Sequence, residues 1–450
     1  MKYTDVLVIG GSAAGLVAAL TGKSTWPDKD FTLVKMQKDM MVPCGIPYIF
    51  GTLESSDKNI MPVDNMLSNA GIESILGEVI TIDKERKRVT LKDGEEISFD
   101  KLVIATGSKP LKPSWLNGKE QKNVFVIPKD KAYLDQMDAY LRKSKKIVVV
   151  GAGFIGVEMS DELKKRDHEV TLVEKEPMIL SRAFDKEISA KVLEVITARG
   201  VKVIAGKGIK EITGNGTVTG VILEDGSSLE ADAVILSMGY KPNSELARDA
   251  GIPVNDMGFI SVDEYMRTPV TDIFAVGDCA EKRDFVTRKK NTTMLASTAC
   301  AEARIAGLNL FNLHVVKTFS GTIAIYSTAV GDHGFGTAGI TEAGAAEEGL
   351  AVHTGVFEGV DRHPGNLPGA HKQMVKLITA KHSAVIIGGE VFGGLSAGEL
   401  TNVIGLAIEN RMTINSLLTS QIGTHPCLTA SPAGYPLIKA AEIIAKKMRT

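Results

Sequence analysis

Residues 146–166 read KIVVVGAGFIGVEMSDELKKR. An apolar, β-branched run, Ile147 to Val150, leads into Gly151-Ala152-Gly153-Phe154-Ile155-Gly156 and then into a stretch of helical periodicity. The order is strand, glycine turn, helix. Glycines so placed permit a tight turn, close approach of a pyrophosphate and close packing of helix on strand, while the helix amino terminus faces the phosphates. The next apolar run, in HEVTLVEK, ends at Glu174, 23 residues after Gly151. A carboxylate at that place accepts hydrogen bonds from both ribose hydroxyls and repels a 2′-phosphate, so the unit is expected to take NADH. Lys175 beside it keeps NADPH open.

The same grammar occurs at residues 5–20, DVLVIGGSAAGLVAAL. Its loop, Gly10-Gly11-Ser12-Ala13-Ala14-Gly15, has serine where the middle glycine would stand, a change small enough to leave room for a pyrophosphate. The following strand, in FTLVKMQKD, offers Val34 and Lys35 where an acid would hold an adenosine ribose. Two further strands belong with this unit: KLVIATG (101–107), and TPVTDIFAVGDCAE (268–281), whose Gly277-Asp278 end places a carboxylate to bond a ribityl or phosphate group. Between the units, SKPLKPSWLNGKEQKN reads as a crossing linker. From about Thr318 no glycine fingerprint recurs. The strand-like runs MVKLIT and AVIIGGEVFG and the helix-like run AGELTNVIGLAIENRM form a third region with another task.

Composition excludes several classes. The 450 residues exceed one ordinary core, and 44% hydrophobic with 24% charged residues is the balance of a soluble globular chain. A net charge of -2 gives no electrostatic reason to expect nucleic acid or an anionic membrane as partner. No run approaches the ~18 apolar residues of a membrane span, and MKYTDVLVIGG enters a strand without the basic and apolar regions of a signal peptide. The 4 cysteines are scattered, without a disulfide framework, and no histidine shows metal-ligand spacing. A cytoplasmic protein without metal is expected.

The set GGSAAG, LVIATGSKP, GAGFIGVE, MGYKPN and TPVTDIFAVGDCAE, in this order, resembles the FAD- and NAD(P)H-dependent pyridine nucleotide–disulfide oxidoreductases over the whole chain. The resemblance implies an α/β fold of two Rossmann-like domains plus a C-terminal α+β dimerisation domain. The FAD-binding domain would be split over residues 1–117 and 245–317, the NAD-binding domain would span 118–244, and the dimerisation domain 318–450. FAD would lie on the first loop, on Ala105-Thr106-Gly107 and on Gly277-Asp278. NADH would lie on Gly151, Gly153, Gly156 and Glu174, with Gly239 of MGYKPN at the cofactor site. Glu158 matches the family's glutamate near the flavin–nicotinamide contact. The third domain would complete the active site of the partner chain in a homodimer.

The chemistry is then read from Pro43-Cys44-Gly45-Ile46-Pro47-Tyr48. The next cysteine is Cys279, so Cys44 has no local disulfide partner. One cysteine here resembles the single-cysteine branch: coenzyme A disulfide reductases, persulfide or polysulfide reductases, and NADH oxidases and peroxidases. Such a sulfur serves as a thiolate forming a mixed disulfide or as a sulfenic acid. A helix beginning at Gly45 would lower its pKa. The plain alternative is a buried structural cysteine. Cys279 and Cys300 read as packing. In the segment Thr424-His425-Pro426-Cys427, His425 matches a His-Pro general acid–base of related disulfide reductases, but Ala430 stands where those carry its orienting glutamate.

The expected activity is hydride transfer from NADH through FAD to a low-molecular-weight disulfide, persulfide or polysulfide. The alternatives are an NADH oxidase giving peroxide from oxygen, and a non-catalytic redox sensor. Relatives that reduce peroxide or make water carry a histidine where this chain has Ala13. Members that bind coenzyme A present cations near the first helix, where Gly11 to Asp28 contain Lys23 alone.

Overall fold

The Lys2–Ile9 strand is buried from Val6 onward and lies in the middle of a parallel sheet, flanked by Phe31–Lys35 on one side and Glu96–Ile104 on the other. A run buried on both faces has to be apolar throughout, which is why no alternation shows in DVLVIG. The computed structural model describes residues 2–449. Beyond Phe31–Lys35 the sheet adds Glu73–Leu76. Beyond Glu96–Ile104 it turns antiparallel with Arg88–Leu91 and Val79–Asp83. Its last member comes from far along the chain: Ile273–Ala275 pairs in parallel with Leu102 to Ile104. The Ala13–Thr25 helix covers this sheet and packs on Ala296–Leu308, and both bury alanines and glycines at their contact.

The second sheet is wholly parallel, in the order Val124–Phe125, Ala233–Leu236, Lys146–Val150, Glu169–Val173, Lys202–Ile204. The Phe154–Lys164 and Lys186–Ala198 helices lie against it, burying Val157, Leu163, Ile188, Val192 and Ile196. The stretch expected as a bare linker is more ordered than that. Ser108–Pro110 pairs antiparallel with Tyr240–Pro242, tying the two nucleotide units together.

The last third is a five-stranded antiparallel sheet, Tyr326–Val330, His333–Gly339, Ile386–Gly393, Lys372–Ala380, Val352–Val360. The helices Ala397–Glu409 and Pro436–Lys447 pack on it around Leu377, Val391, Ile404 and Ile444. Among the described residues no helix is long and apolar enough to cross a membrane.

Candidate active site

The two glycine loops are built alike to the level of single hydrogen bonds. Gly10 N donates to Val34 O and Gly151 N to Val173 O, both at 2.8 Å. Gly10 and Gly151 have φ of +115° and +97°, which side-chain-bearing residues rarely adopt. A Cβ on Gly15 would stand 1.8 Å from Gly10 O, and one on Gly156 1.9 Å from Gly151 O, so helix and loop touch through glycine alone. The middle position differs. Ser12 sits at φ -81° and Gly153 at φ -73°, conformations open to any residue, so the serine costs the loop nothing in backbone terms.

This equivalence makes Lys35 the counterpart of Glu174, each following the strand residue that receives the glycine N–H. Glu174 Oε2 accepts from Ala152 N at 2.6 Å and Oε1 from Glu176 N at 2.9 Å, at the edge of the loop. Lys35 is buried. Its ammonium donates to the carbonyls of Gln37 and Lys38 and pairs with Asp64 at 3.2 Å.

The residues expected to hold FAD converge. A Cβ on Gly10 would meet Ala105 O at 2.1 Å, and one on Gly277 would meet the Ala14 Cβ at 2.7 Å. Thr106 Oγ1 donates to Asn243 O at 2.5 Å, and Asn243 N donates to Gly107 O at 2.9 Å, closing MGYKPN onto the Ala105-Thr106-Gly107 turn. Gly239 precedes that contact, at φ +96°. Neither Ser12 nor Gly153 caps its helix with a side chain, so the first-turn amides of both helices are available to phosphate. Space is left as well: a Cβ at Gly153 or Gly107 would meet nothing within 4 Å. This donor set fits two dinucleotides.

Asp278 accepts from Ser108 Oγ at 2.7 Å and pairs with Lys129 at 3.1 Å. Burial works against its charge, but Lys129 and Ser108 outweigh it and hold the carboxyl below the usual carboxylate range. Behind it, Lys282 and Glu302 form an ion pair at 3.0 Å with both side chains 0% exposed. Glu302 Oε2 accepts from Gly277 N, and Lys282 Nζ donates to Gly277 O and Ala280 O. Two opposite charges thus clamp the Gly277-Asp278 turn from the core side. Neither Lys129 nor this pair belongs to a spacing that sequence reasoning recognises.

Cys44 lies where the two units meet. Its segment forms two short 3₁₀ turns, Pro43–Gly45 and Pro47–Phe50, rather than a helix. The expected lowering of its pKa by a helix dipole is therefore corrected. Solvent reaches the thiol, yet crowding by protein pushes its pKa up; Glu158 and Asp278 push the same way, and Lys129 opposes them. Asp278 belongs to the first glycine unit, while Lys129, which pairs with it, and Glu158 come from the second. Glu158 accepts from Thr328 Oγ1 of the C-terminal sheet at 2.7 Å, and burial raises its carboxyl to about 7. Tyr48, crowded and facing Glu158, is pushed up to about 12. Cys300, read as packing, is partly buried and acts electrostatically on Cys44, whereas Cys279 is buried as expected.

His425 and Cys427 are exposed in the loop before the last helix. His425 Nδ1 accepts from Cys427 N at 3.2 Å, so within one chain the ring caps its own loop. The loop is tied to the Val352–Val360 side of the sheet: His363 N donates to Pro426 O, and Arg362 bonds Cys427 O. Cys44 thus feels Glu158 and Asp278, whereas the contacts of His425 are within its own loop.

Residues 4–303 match the family described as pyridine nucleotide-disulphide oxidoreductase, and residues 325–433 match its dimerisation domain. The chain belongs to this family. Its kinship runs over the full length. An NADH oxidase of Methanocaldococcus jannaschii is 30% identical, over 98% of this chain and 99% of that protein. An NAD(P)H coenzyme A polysulfide/persulfide reductase of Pyrococcus horikoshii is also 30% identical, over 98% of each. The solved NAD-dependent persulfide reductase from A. fulgidus superposes with a TM-score of 0.91 at 31% identity, covering 99% of this chain and 84% of that one. This oxidoreductase is accordingly a flavoenzyme that uses FAD and a nicotinamide nucleotide, with the two Rossmann-type sheets and the C-terminal domain of its family.

Proposed function

We propose that this oxidoreductase reduces a low-molecular-weight disulfide, persulfide or polysulfide with NADH, through Cys44. The observation that carries the reading is the placement of Cys44, a solvent-reached thiol acted on by Asp278 from one nucleotide unit and by Lys129 and Glu158 from the other. The Cys44 thiolate attacks the acceptor RSSR, giving Cys44–S–S–R and RS⁻. NADH then supplies two electrons, and Cys44–S–S–R with NADH gives Cys44 thiolate, RS⁻, NAD⁺ and a proton. FAD supplies the two-electron relay between nicotinamide and sulfur. The protein's own residues hold the parts: glycine loops for the pyrophosphates, Glu174 for the ribose, Asp278 for the flavin end, Glu158 beside the thiol.

The domain limits 1–117 with 245–317, 118–244 and 318–450 belong to this proposal, as does a homodimer. Leu395, Val403, Leu406 and Leu428, all exposed in the last third, support the dimer, and the 4 free cysteines support a reducing, cytoplasmic setting. Lys23, the cation of the first helix, donates its ammonium to Pro27 O and Lys29 O, and coenzyme A derivatives belong in the acceptor panel beside smaller acceptors.

The test is anaerobic NADH consumption with a panel of disulfides, persulfides and polysulfides. Cys44→Ser is expected to lose that turnover while keeping flavin content and flavin reduction by NADH. The relative from Methanocaldococcus jannaschii favours a second reading, direct reduction of oxygen. Retention of full activity by Cys44→Ser would remove Cys44 from the path, and a failure of the unmodified protein to consume NADH anaerobically with any of these acceptors would leave oxygen as the acceptor and remove the first reading.

A further inference from the structure

The nicotinamide-side sheet meets the C-terminal sheet through a buried charged cluster that the proposed chemistry does not use. Lys376, 1% exposed, pairs with Asp185 at 2.9 Å, Glu342 at 2.8 Å and Glu187 at 3.4 Å. Directly across the strand pair from Lys376 stands Glu390, 0% exposed. Its Oε1 accepts from Asp185 N at 2.6 Å, while its Oε2 is buried without a partner. The Asp185 carboxylate, in turn, accepts from the N–H groups of Glu342 and Ala343. Lys191, one helical turn from Glu187, pairs outward with Glu358 at 3.2 Å.

Around one ammonium there are already three carboxylates, from Asp185 and Glu187 at one helix start and Glu342 at another. A fourth negative charge, fully buried and with an unpaired oxygen, has only this one shared ammonium to offset it. Glu390 therefore holds its proton: burial and the Asp185 charge push its carboxyl up to about 8.

Asp185 is covalently next to Phe184, and Phe184 packs on Phe154, the first residue of the helix that follows the nicotinamide loop, at 5.9 Å between ring centroids. Phe154 also stacks on Tyr326 of the C-terminal sheet, at 4.9 Å and 10°. Leu180 N also donates to Ala152 O, in the loop itself, at 2.9 Å. The segment 180–185 thus spans from the charged cluster to the loop.

We propose that Glu390 is a positioning residue for the nicotinamide site: as a neutral acid it keeps Asp185, and through it Phe184 and Phe154, in the arrangement that accepts the nucleotide, and its ionisation displaces that segment and weakens NADH binding. The inference rests on the reading that the 151–156 loop receives NADH.

The experiment is NADH affinity and maximal rate of flavin reduction in the holoenzyme, followed anaerobically from pH 6.5 to 9.5. In the unmodified protein affinity falls as pH rises through about 8, by roughly tenfold for each unit by which nucleotide binding shifts the acid, with little change in the maximal rate. Glu390→Gln, neutral and of the same shape, keeps the low-pH affinity throughout. An affinity independent of pH in the unmodified protein, or the same fall in Glu390→Gln, would overturn the proposal; the first result needs no variant. Glu174→Ala separates the underlying reading, because unchanged NADH affinity in that variant would remove the nucleotide from the loop whatever Glu390 does.

Discussion

Thr328 donates its hydroxyl to Glu158 Oε1 at 2.7 Å, and this bond joins the C-terminal sheet to the helix that follows the 151–156 loop. Burial nevertheless wins over the bond, and the Glu158 carboxyl is raised from 4.5 to about 7. The sign for stability follows from linkage. An acid raised on folding contributes stability that is fully present below 4.5 and lost as pH rises through about 7. Glu158→Gln should flatten the decline in melting temperature over that window. An unchanged pH dependence would show that Glu158 is ionised throughout.

The same carboxylate acts on Cys44, with Lys129 opposing it. Alkylation by iodoacetamide, which consumes thiolate, reads both effects. Glu158→Gln should accelerate modification of Cys44 above pH 7, and Lys129→Gln should slow it. Equal rates in the two variants would mean that neither group faces the sulfur.

Glu174 accepts one loop N–H and is proposed to bond the nucleotide ribose. Its replacement by alanine should cost about 1.5–3 kcal/mol of NADH binding, the range for hydrogen bonds to a charged group. Because the carboxylate also repels a 2′-phosphate, NADPH should lose less, and the ratio of the two kcat/KM values should move toward one. A ratio that stays fixed would place discrimination elsewhere, with Lys175 the first residue to test.

Lys282→Met should destabilise the holoenzyme by about 3–5 kcal/mol, since it strands Glu302 as a buried, unpaired acid. Flavin content should fall with it, because both residues hold the Gly277 backbone next to Asp278. Adding Glu302→Leu should recover much of the stability but not the flavin content. Chemical denaturation and the absorbance ratio of flavin to protein measure the two outcomes separately.

What could be read from residues alone divides along physical lines. Gly10, Gly15, Gly151 and Gly156 were legible because each position excludes a side chain, by positive φ or by contact with a carbonyl under 2 Å from any Cβ. The strands were legible as apolar runs ending at those glycines. Lys129 was not, because a single lysine in VIPKD carries no periodicity and meets Asp278, 149 positions further along the chain, only in the fold. Cys300 reads as packing because its helix is rich in alanine; only the fold brings it within electrostatic reach of Cys44. The pKa of Cys44 was misjudged for a local reason. Pro47 restarts the turn, so no helix long enough to carry a dipole follows the cysteine.

The pairing of Ile273–Ala275 with Leu102–Ile104 has a consequence during synthesis. At ~5–20 residues per second, the Glu96–Ile104 strand waits on the order of ten seconds for its neighbour to leave the ribosome. In that interval the region 124–236, contiguous in sequence, is free to complete its own parallel sheet. The nascent chain therefore carries a finished inner domain inside an unfinished outer one, with the Leu102–Ile104 edge bare and open to wrong partners. Ribosome-bound chains stopped shortly before residue 273 should resist protease across 146–236 while remaining cut within the first hundred residues.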